Sequence, residues 1–186
     1  MSTQDYANPS LRERVPVRVV AHESQARLLF DPMRREILRL LSRRAFSERE
    51  LSEIIGITPP SIGHHLKALK EGQFISIVRR EVGKQGIVQK WYLANAQAFI
   101  VDRERVPDDV RRYFMAIDIE RTRGVAACMS LMRGGGISST KSMESLTQQI
   151  CNAICKAAEK YPGRLEEDPE TVVHQMYVQA LKTLKL

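Results

Sequence analysis

The sequence predicts a mainly α-helical protein with one small β-hairpin, and three observations carry that expectation. The stretch Ser47–Glu71, SERELSEIIGITPPSIGHHLKALKE, reads as two short helices joined by a tight turn. Two runs rich in β-branched and apolar residues, Phe74–Glu81 and Ile87–Leu93, flank the glycine-bounded turn Val82–Gly86, which is a hairpin pattern. From Pro107 onward, apolar residues recur at helical spacing almost to the end. The organisation expected is an N-terminal arm at 1–20, a helix-turn-helix with its hairpin at 21–105, and an α-helical region at 106–186.

A chain of 186 residues fits one substantial domain or two small ones, and 43% hydrophobic residues are enough for a real core. The net charge is +7. Residues 1–105 hold 18 Lys+Arg against 12 Asp+Glu, and residues 106–186 hold 11 against 10, so the excess sits in the first half. That is the balance expected if the first half meets a polyanion. The longest apolar run, around Val125–Met132, is too short to span a bilayer. The start MSTQDYANPS has neither the basic region nor the apolar core of a signal peptide, so a cytoplasmic location and no membrane partner are expected.

Arg12, Arg14 and Arg18 with Pro9 and Pro16 suit either a basic arm for a minor groove or a solvated tail. Ser24–Phe30 reads as a short helix. Asp31 then makes an N-cap, with Pro32 at the first helical position, and Met33, Ile37, Leu40 and Leu41 mark the buried face. Arg34, Arg35, Arg39, Arg43 and Arg44 fall elsewhere, as a solvated surface or as phosphate contacts. Ser47 and Glu50 form a capping box, Leu51, Ile54 and Ile55 supply a buried stripe, and Gly56 closes the helix. Thr58 caps the next helix, with Pro59 and Pro60 where backbone donors have no intrahelical acceptor.

At about 100° per residue, Ile62, Leu66 and Leu69 share one side of that second helix. Pro60, Ser61, His64, Lys67 and Ala68 take the other side, His65 the flank near the core, and Gly63 lies between. A helix that lies in the DNA major groove needs an apolar inner face, a polar outer face and an exposed N-terminal end. Thr58–Glu71 meets all three. Ser61 and His64 can hydrogen-bond base edges, and Pro60 can pack on a thymine methyl. Lys67 and Lys70 suit phosphate, as does Thr58 with nearby amides, while Gly63 permits a close approach. The hairpin that follows is basic, with Lys84 and Gln85 at its tip and Arg79, Arg80 and Lys90 on its arms, and so reads as a wing.

With those residues in view, DPMRREILRLLSRRAFSERELSEIIGITPPSIGHHLKALKEGQFI, followed by the hairpin ending KWYLA, resembles ArsR-type winged helix-turn-helix transcriptional regulators over roughly Ala21–Phe99. The resemblance implies a homodimeric, sequence-specific regulator of double-stranded DNA, often a repressor released by an effector. It also implies Ser61, Gly63, His64 and Lys67 on the recognition helix and Arg79, Arg80, Lys84 and Gln85 in the wing. Two departures stand out. The family has serine where Gly63 stands, and it reads E-A-G-L where this chain has Glu71-Gly72-Gln73-Phe74, so a different C-cap geometry is expected. The better-known members sense metal through a cysteine pair on the first helix of the motif. Ser47–Ile55 contains no cysteine, so no metal site and no cofactor are expected there.

The cysteines, Cys128, Cys151 and Cys155, fall in the second half and read either as small core residues or as soft-metal or redox thiols. Beyond Pro107, the helix stripes expected are Val110, Phe114, Ile117, Val125, Cys128 and Leu131, then Met143, Leu146, Ile150, Ala153, Ala157 and Tyr161, then Val173, Met176, Tyr177, Ala180 and Leu184. Gly134-Gly135-Gly136 breaks the first from the second. This half reads as a dimerisation region, with a cavity for a small-molecule effector lined by Met115, Met129, Met132, Met143 and Met176 as a second role. No HExxH, P-loop or GxSxG pattern occurs, which argues against an enzyme. A winged-helix assembly module meeting an acidic protein is the alternative from another class.

Overall fold

In a computed structural model, described for residues 14–82, 86, 88–133, 140–165 and 168–184, the chain is mainly helical with small sheets. The side chains of residues 129, 130, 132, 133, 140 and 141 lie outside the description. In order, the elements are β1 (Val15–Val20), α1 (Glu23–Leu28), α2 (Pro32–Leu41), β2 (Phe46–Ser47), α3 (Glu48–Ile55), α4 (Pro59–Glu71), β3 (Ile75–Val82), β4 (Val88–Ala94), β5 (Ala96–Val101), α5 (Asp108–Arg133), α6 (Thr140–Glu159) and α7 (Pro169–Thr183). The chain divides into two compact units, one built mainly on Leu28–Ala98 and the other mainly on Phe99–Gly163 and Glu170–Leu186.

The first unit is a winged helix-turn-helix. Asp31 caps α2 by accepting the Met33 amide at 2.8 Å, and Pro32 follows at the first turn. The capping box of α3 is complete. The Glu50 amide donates to Ser47 Oγ at 3.3 Å, and the Ser47 amide donates to Glu50 Oε2 at 2.7 Å. The bond from the Ser47 amide, then those from the Ser47 hydroxyl and Arg44, hold the Glu50 carboxyl below its ordinary range. Gly56 ends α3 at φ 81°, left-handed backbone that costs a glycine little. Ile37, Leu41, Leu51, Ile62, Leu66 and Leu69 are fully enclosed with Phe74, each such side chain contributing about 1.5–3 kcal/mol by leaving water.

The sheet order is β2-β4-β3, with Ile75 opposite Ala94 and Val82 opposite Val88, and a register irregularity between Ile77 and Arg79. One expected stripe is corrected: Leu51 is buried, but Ile54 is 53% exposed and Ile55 only partly covered. Eight residues make barely two turns, and Ile54 lies 60° off Leu51, beyond the narrow strip of α3 that meets α4. Ala68, expected to face outward, is half-buried.

Two strands lie outside the expected hairpin, β1 in the segment read as an arm and β5 just past the hairpin. β1 pairs with β5, the Val15 amide donating to the Asn95 carbonyl at 3.0 Å and the Asp102 amide to the Val20 carbonyl at 2.9 Å. Val15, Val17, Val19 and Val20 favour a strand, and Pro16 is tolerated where a strand begins. Arg14, just before β1, donates to the Ser42 carbonyl at the C-cap of α2. Arg12 lies outside the described residues.

In the second unit, Ala126, Leu146, Ile150, Ala153, Ile154 and Ala180 form a core with Met143, Tyr177 and Leu184 packed on it. The α5 stripe differs from expectation. Val110, Phe114, Asp118, Thr122 and Ala126 are buried at a four-residue interval, while Cys128 is exposed and Leu131 is 88% exposed. Two polar members conceal that stripe from an apolar pattern. On α6 Ala158 is buried and Ala157 only partly so, and on α7 Val172 rather than Val173 turns fully inward. Gly134, Gly135 and Gly136 lie outside the described residues.

Candidate nucleic-acid interface

α4 separates its faces cleanly. Ile62, Leu66 and Leu69 anchor it inward, and Thr58, Pro60, Ser61, His64, Lys67 and Lys70 are all exposed. His65 sits on the flank with its Nδ1 3.4 Å from Asp31 Oδ2, close but without hydrogen-bond geometry. It therefore belongs to the α2–α4 contact. Lys67 and Lys70 pair with no acid among the described residues, so their charge stays available at the surface.

The start of α4 departs from a simple cap. Thr58 occupies the N-cap position, yet its hydroxyl meets Ser61 Oγ at 2.9 Å and bonds no backbone amide. Pro59 and Pro60 carry no N–H, so two of the amides that a side chain or phosphate would use are missing. Gly63 turns out to face α3. A Cβ there would stand 3.2 Å from Glu48 Oε1 and 3.3 Å from Oε2. The absent side chain thus makes room for a neighbouring carboxylate.

The wing presents two unlike faces. Arg79 lies opposite Trp91 with its guanidinium 3.9 Å from the ring centroid, and its Nε is 3.2 Å from Glu81 Oε1. On the other face Arg80 opposes Lys90, and Val82 opposes Val88, all four exposed. Arg79 is therefore committed within the hairpin, whereas Arg80 and Lys90 project without an acidic partner among the described residues. Lys84 and Gln85 lie outside those residues. The α2 arginines are largely occupied too. Arg34 and Arg35 donate to the Leu28, Leu29 and Phe30 carbonyls, Arg39 chelates Glu36, and Arg44 stacks 3.7 Å over Phe46.

Residues 31–76 match the model of bacterial regulatory proteins of the arsR family. This segment is an ArsR-type helix-turn-helix. Over 50 residues the chain is 42% identical to the transcriptional repressor SdpR of Bacillus subtilis (strain 168), a stretch that covers 27% of this chain and 56% of that protein. The chain thus spans about half the length of the relative it matches. The ArsR-type segment runs from the Asp31 cap through α2, α3 and α4 to the second residue of β3, so the match stops short of the basic half of the wing.

The departure at the end of α4 has a defined geometry. Gly72, where the resemblance implies alanine, keeps φ −72°, and Gln73, where it implies glycine, takes φ 62°. A Cβ on Gly72 would lie 2.3 Å from Leu28 Cδ1, so Leu28 fills the space an alanine methyl would need.

Outside the ArsR-type segment, no three His, Cys, Asp or Glu side chains among the described residues are grouped for a metal ion. Cys151 donates to Asp118 Oδ2 at 3.5 Å, and burial followed by the Asp118 charge pushes its pKa up to about 12. Burial, then Asp102, pushes Cys155 up to about 11. Raised values keep both thiols protonated at neutral pH, and a protonated thiol is a poor nucleophile. Of the methionines read as a cavity lining, Met176 is fully buried and Met143 packs on the core, while the side chains of Met129 and Met132 are not described. No helix among the described residues is long and apolar enough to cross a membrane.

Proposed function

We propose that the chain is a DNA-binding transcriptional regulator, a repressor, that binds a pseudo-palindromic operator as a homodimer. α4 lies in the major groove, and the β3–β4 wing rests on the flanking backbone or minor groove. The single observation that supports this most is the outer face of α4. His64 stands at its centre, Lys67 and Lys70 lie beside it without acidic partners among the described residues, and Arg80 and Lys90 extend the same charge onto the wing. Ser61 and His64 read base edges, and the four cations neutralise phosphate. The similarity to a transcriptional repressor supports the sign of regulation. For the dimer, the exposed Cys128 and Leu131 at the end of α5 offer apolar surface to a second copy.

The decisive experiment is selection of bound fragments from random double-stranded DNA, followed by a salt titration on the selected site. Two half-sites about 34 Å apart are expected. Log affinity should fall steeply with log salt, and Lys67→Ala should make that slope shallower by about one phosphate contact. No selected sequence, together with salt-insensitive binding, would rule the reading out.

A further inference from the structure

Glu48 opens α3, and its carboxylate reaches across to α4. Both oxygens stand within 3.3 Å of where a Gly63 Cβ would be. The same charge acts on the phenol of Tyr92 in β4, where it adds to burial in raising that pKa. The carboxylate therefore stands at the junction of α3, α4 and the wing. Among the described residues it has no hydrogen bond and no ion pair, and it is only partly buried. The cations Lys67 and Lys70 on α4 and Arg80 and Lys90 on the wing are exposed on the elements it adjoins.

An ionised carboxylate only accepts hydrogen bonds. A phosphate cannot serve it, being anionic and itself an acceptor. The donors that a major groove offers are the N4 amine of cytosine and the N6 amine of adenine. Adenine places the N7 acceptor beside its amine, which opposes a second carboxylate oxygen. Cytosine carries no such acceptor there. Gly63 keeps the path open, since a Cβ at that position would press on the carboxylate.

We propose that Glu48 is a specificity-determining residue of the DNA interface, accepting a hydrogen bond from the N4 amine of one cytosine in each half-site. The proposal rests on the DNA-binding reading above and adds a reader from α3 to those on α4.

Selection from random double-stranded DNA, run with full-length wild type, Glu48→Gln, Glu48→Ala and Gly63→Ser, tests it. Wild type should prefer cytosine at one half-site position by about tenfold. Glu48→Ala should lose that preference, and Gly63→Ser should weaken it at the same position. Glu48→Gln should turn it toward adenine, because an amide presents one donor and one acceptor to N7 and N6. Glu48→Gln keeps the shape of the side chain, so the test survives if the alanine variant fails to fold. Unchanged base preference, with every sequence bound more tightly by the same factor, would overturn the proposal and leave Glu48 as a charge that repels phosphate. That result would leave the DNA-binding reading intact. A wild type with no base preference at all would remove both.

Discussion

Arg80 stands directly across the β3–β4 ladder from Lys90, so two cations share one face of the wing. Like charges opposed on a ladder destabilise it by a few tenths of a kcal/mol. A polyanion lying over that face relieves the repulsion. Lys90→Glu should therefore act with opposite signs on two readouts. The new cross-strand ion pair should raise stability by about 0.2–1 kcal/mol, while DNA affinity and its salt dependence both fall. Thermal melting and a salt titration of binding check the pair of effects. A variant that melts lower and keeps its salt slope would show that neither cation faces DNA.

Gln73 adopts φ 62° at a position where glycine would be unstrained. A non-glycine residue there carries about 1–2 kcal/mol of steric cost, partly offset by the extra freedom glycine brings to the unfolded chain. Gln73→Gly should accordingly stabilise the first unit by up to about 1 kcal/mol. Gly72→Ala should do the reverse, since its methyl meets Leu28 Cδ1. Urea denaturation of the two variants, compared at equal slope, distinguishes these outcomes.

The Arg103 guanidinium pairs with Asp118 where both side chains are about nine-tenths enclosed, and it also lies 4.6 Å from the Phe114 ring. Removing Arg103 leaves the enclosed Asp118 carboxylate with only the Cys151 thiol and, at 3.7 Å, the largely exposed Arg121 guanidinium as partners. Arg103→Ala should cost about 3–5 kcal/mol, whereas Arg103→Met with Asp118→Leu should cost far less. Chemical denaturation of the single and double variants measures the difference.

Cys151 and Cys155 hold their protons more tightly folded than unfolded, with values of about 12 and about 11. A group whose folded value is raised contributes stability in full below its unfolded value, about 8.5 for a thiol, and loses it as pH rises through the folded value. Stability should thus decline from about pH 8.5 upward, and Cys151→Ala should flatten part of the decline. The Tyr177 phenol, raised chiefly by burial, acts in the same direction. Alkylation at about pH 8 should label the exposed Cys128 first and reach Cys151 only on unfolding.

What the sequence made legible was local. The Asp31 cap, the Ser47–Glu50 box, the Gly56 turn and the Ile62–Leu66–Leu69 face follow from adjacent residues, and each has the expected geometry. The β1–β5 pair was illegible because its partners lie about 80 residues apart and each strand is only six residues long. The α5 stripe was hidden because Asp118 and Thr122 belong to it, and polar residues interrupt an apolar count. At the interface, exposure of Ser61, His64, Lys67 and Lys70 could be read from helical spacing. The commitment of Arg79 to Trp91 and Glu81 could not, since it depends on hairpin register. The closeness of Glu48 to Gly63 required the packing of two helices, and only the glycine itself, where the resemblance implies serine, signalled it.

Pro59 and Pro60 have a consequence for how much order the chain loses on meeting DNA. Two pyrrolidine rings fix successive φ angles at the start of α4, so the unfolded chain has fewer conformations there and the folded one little freedom to fray. The end of the helix that would enter the groove is thus set before any ligand arrives. Less rotational freedom remains to be surrendered in the bound state, which leaves more of the contact energy to appear as affinity. The same rings remove two amides from the helix end, so on the proposed reading alignment along the duplex would fall to the side chains of Thr58, Ser61 and the lysines behind them.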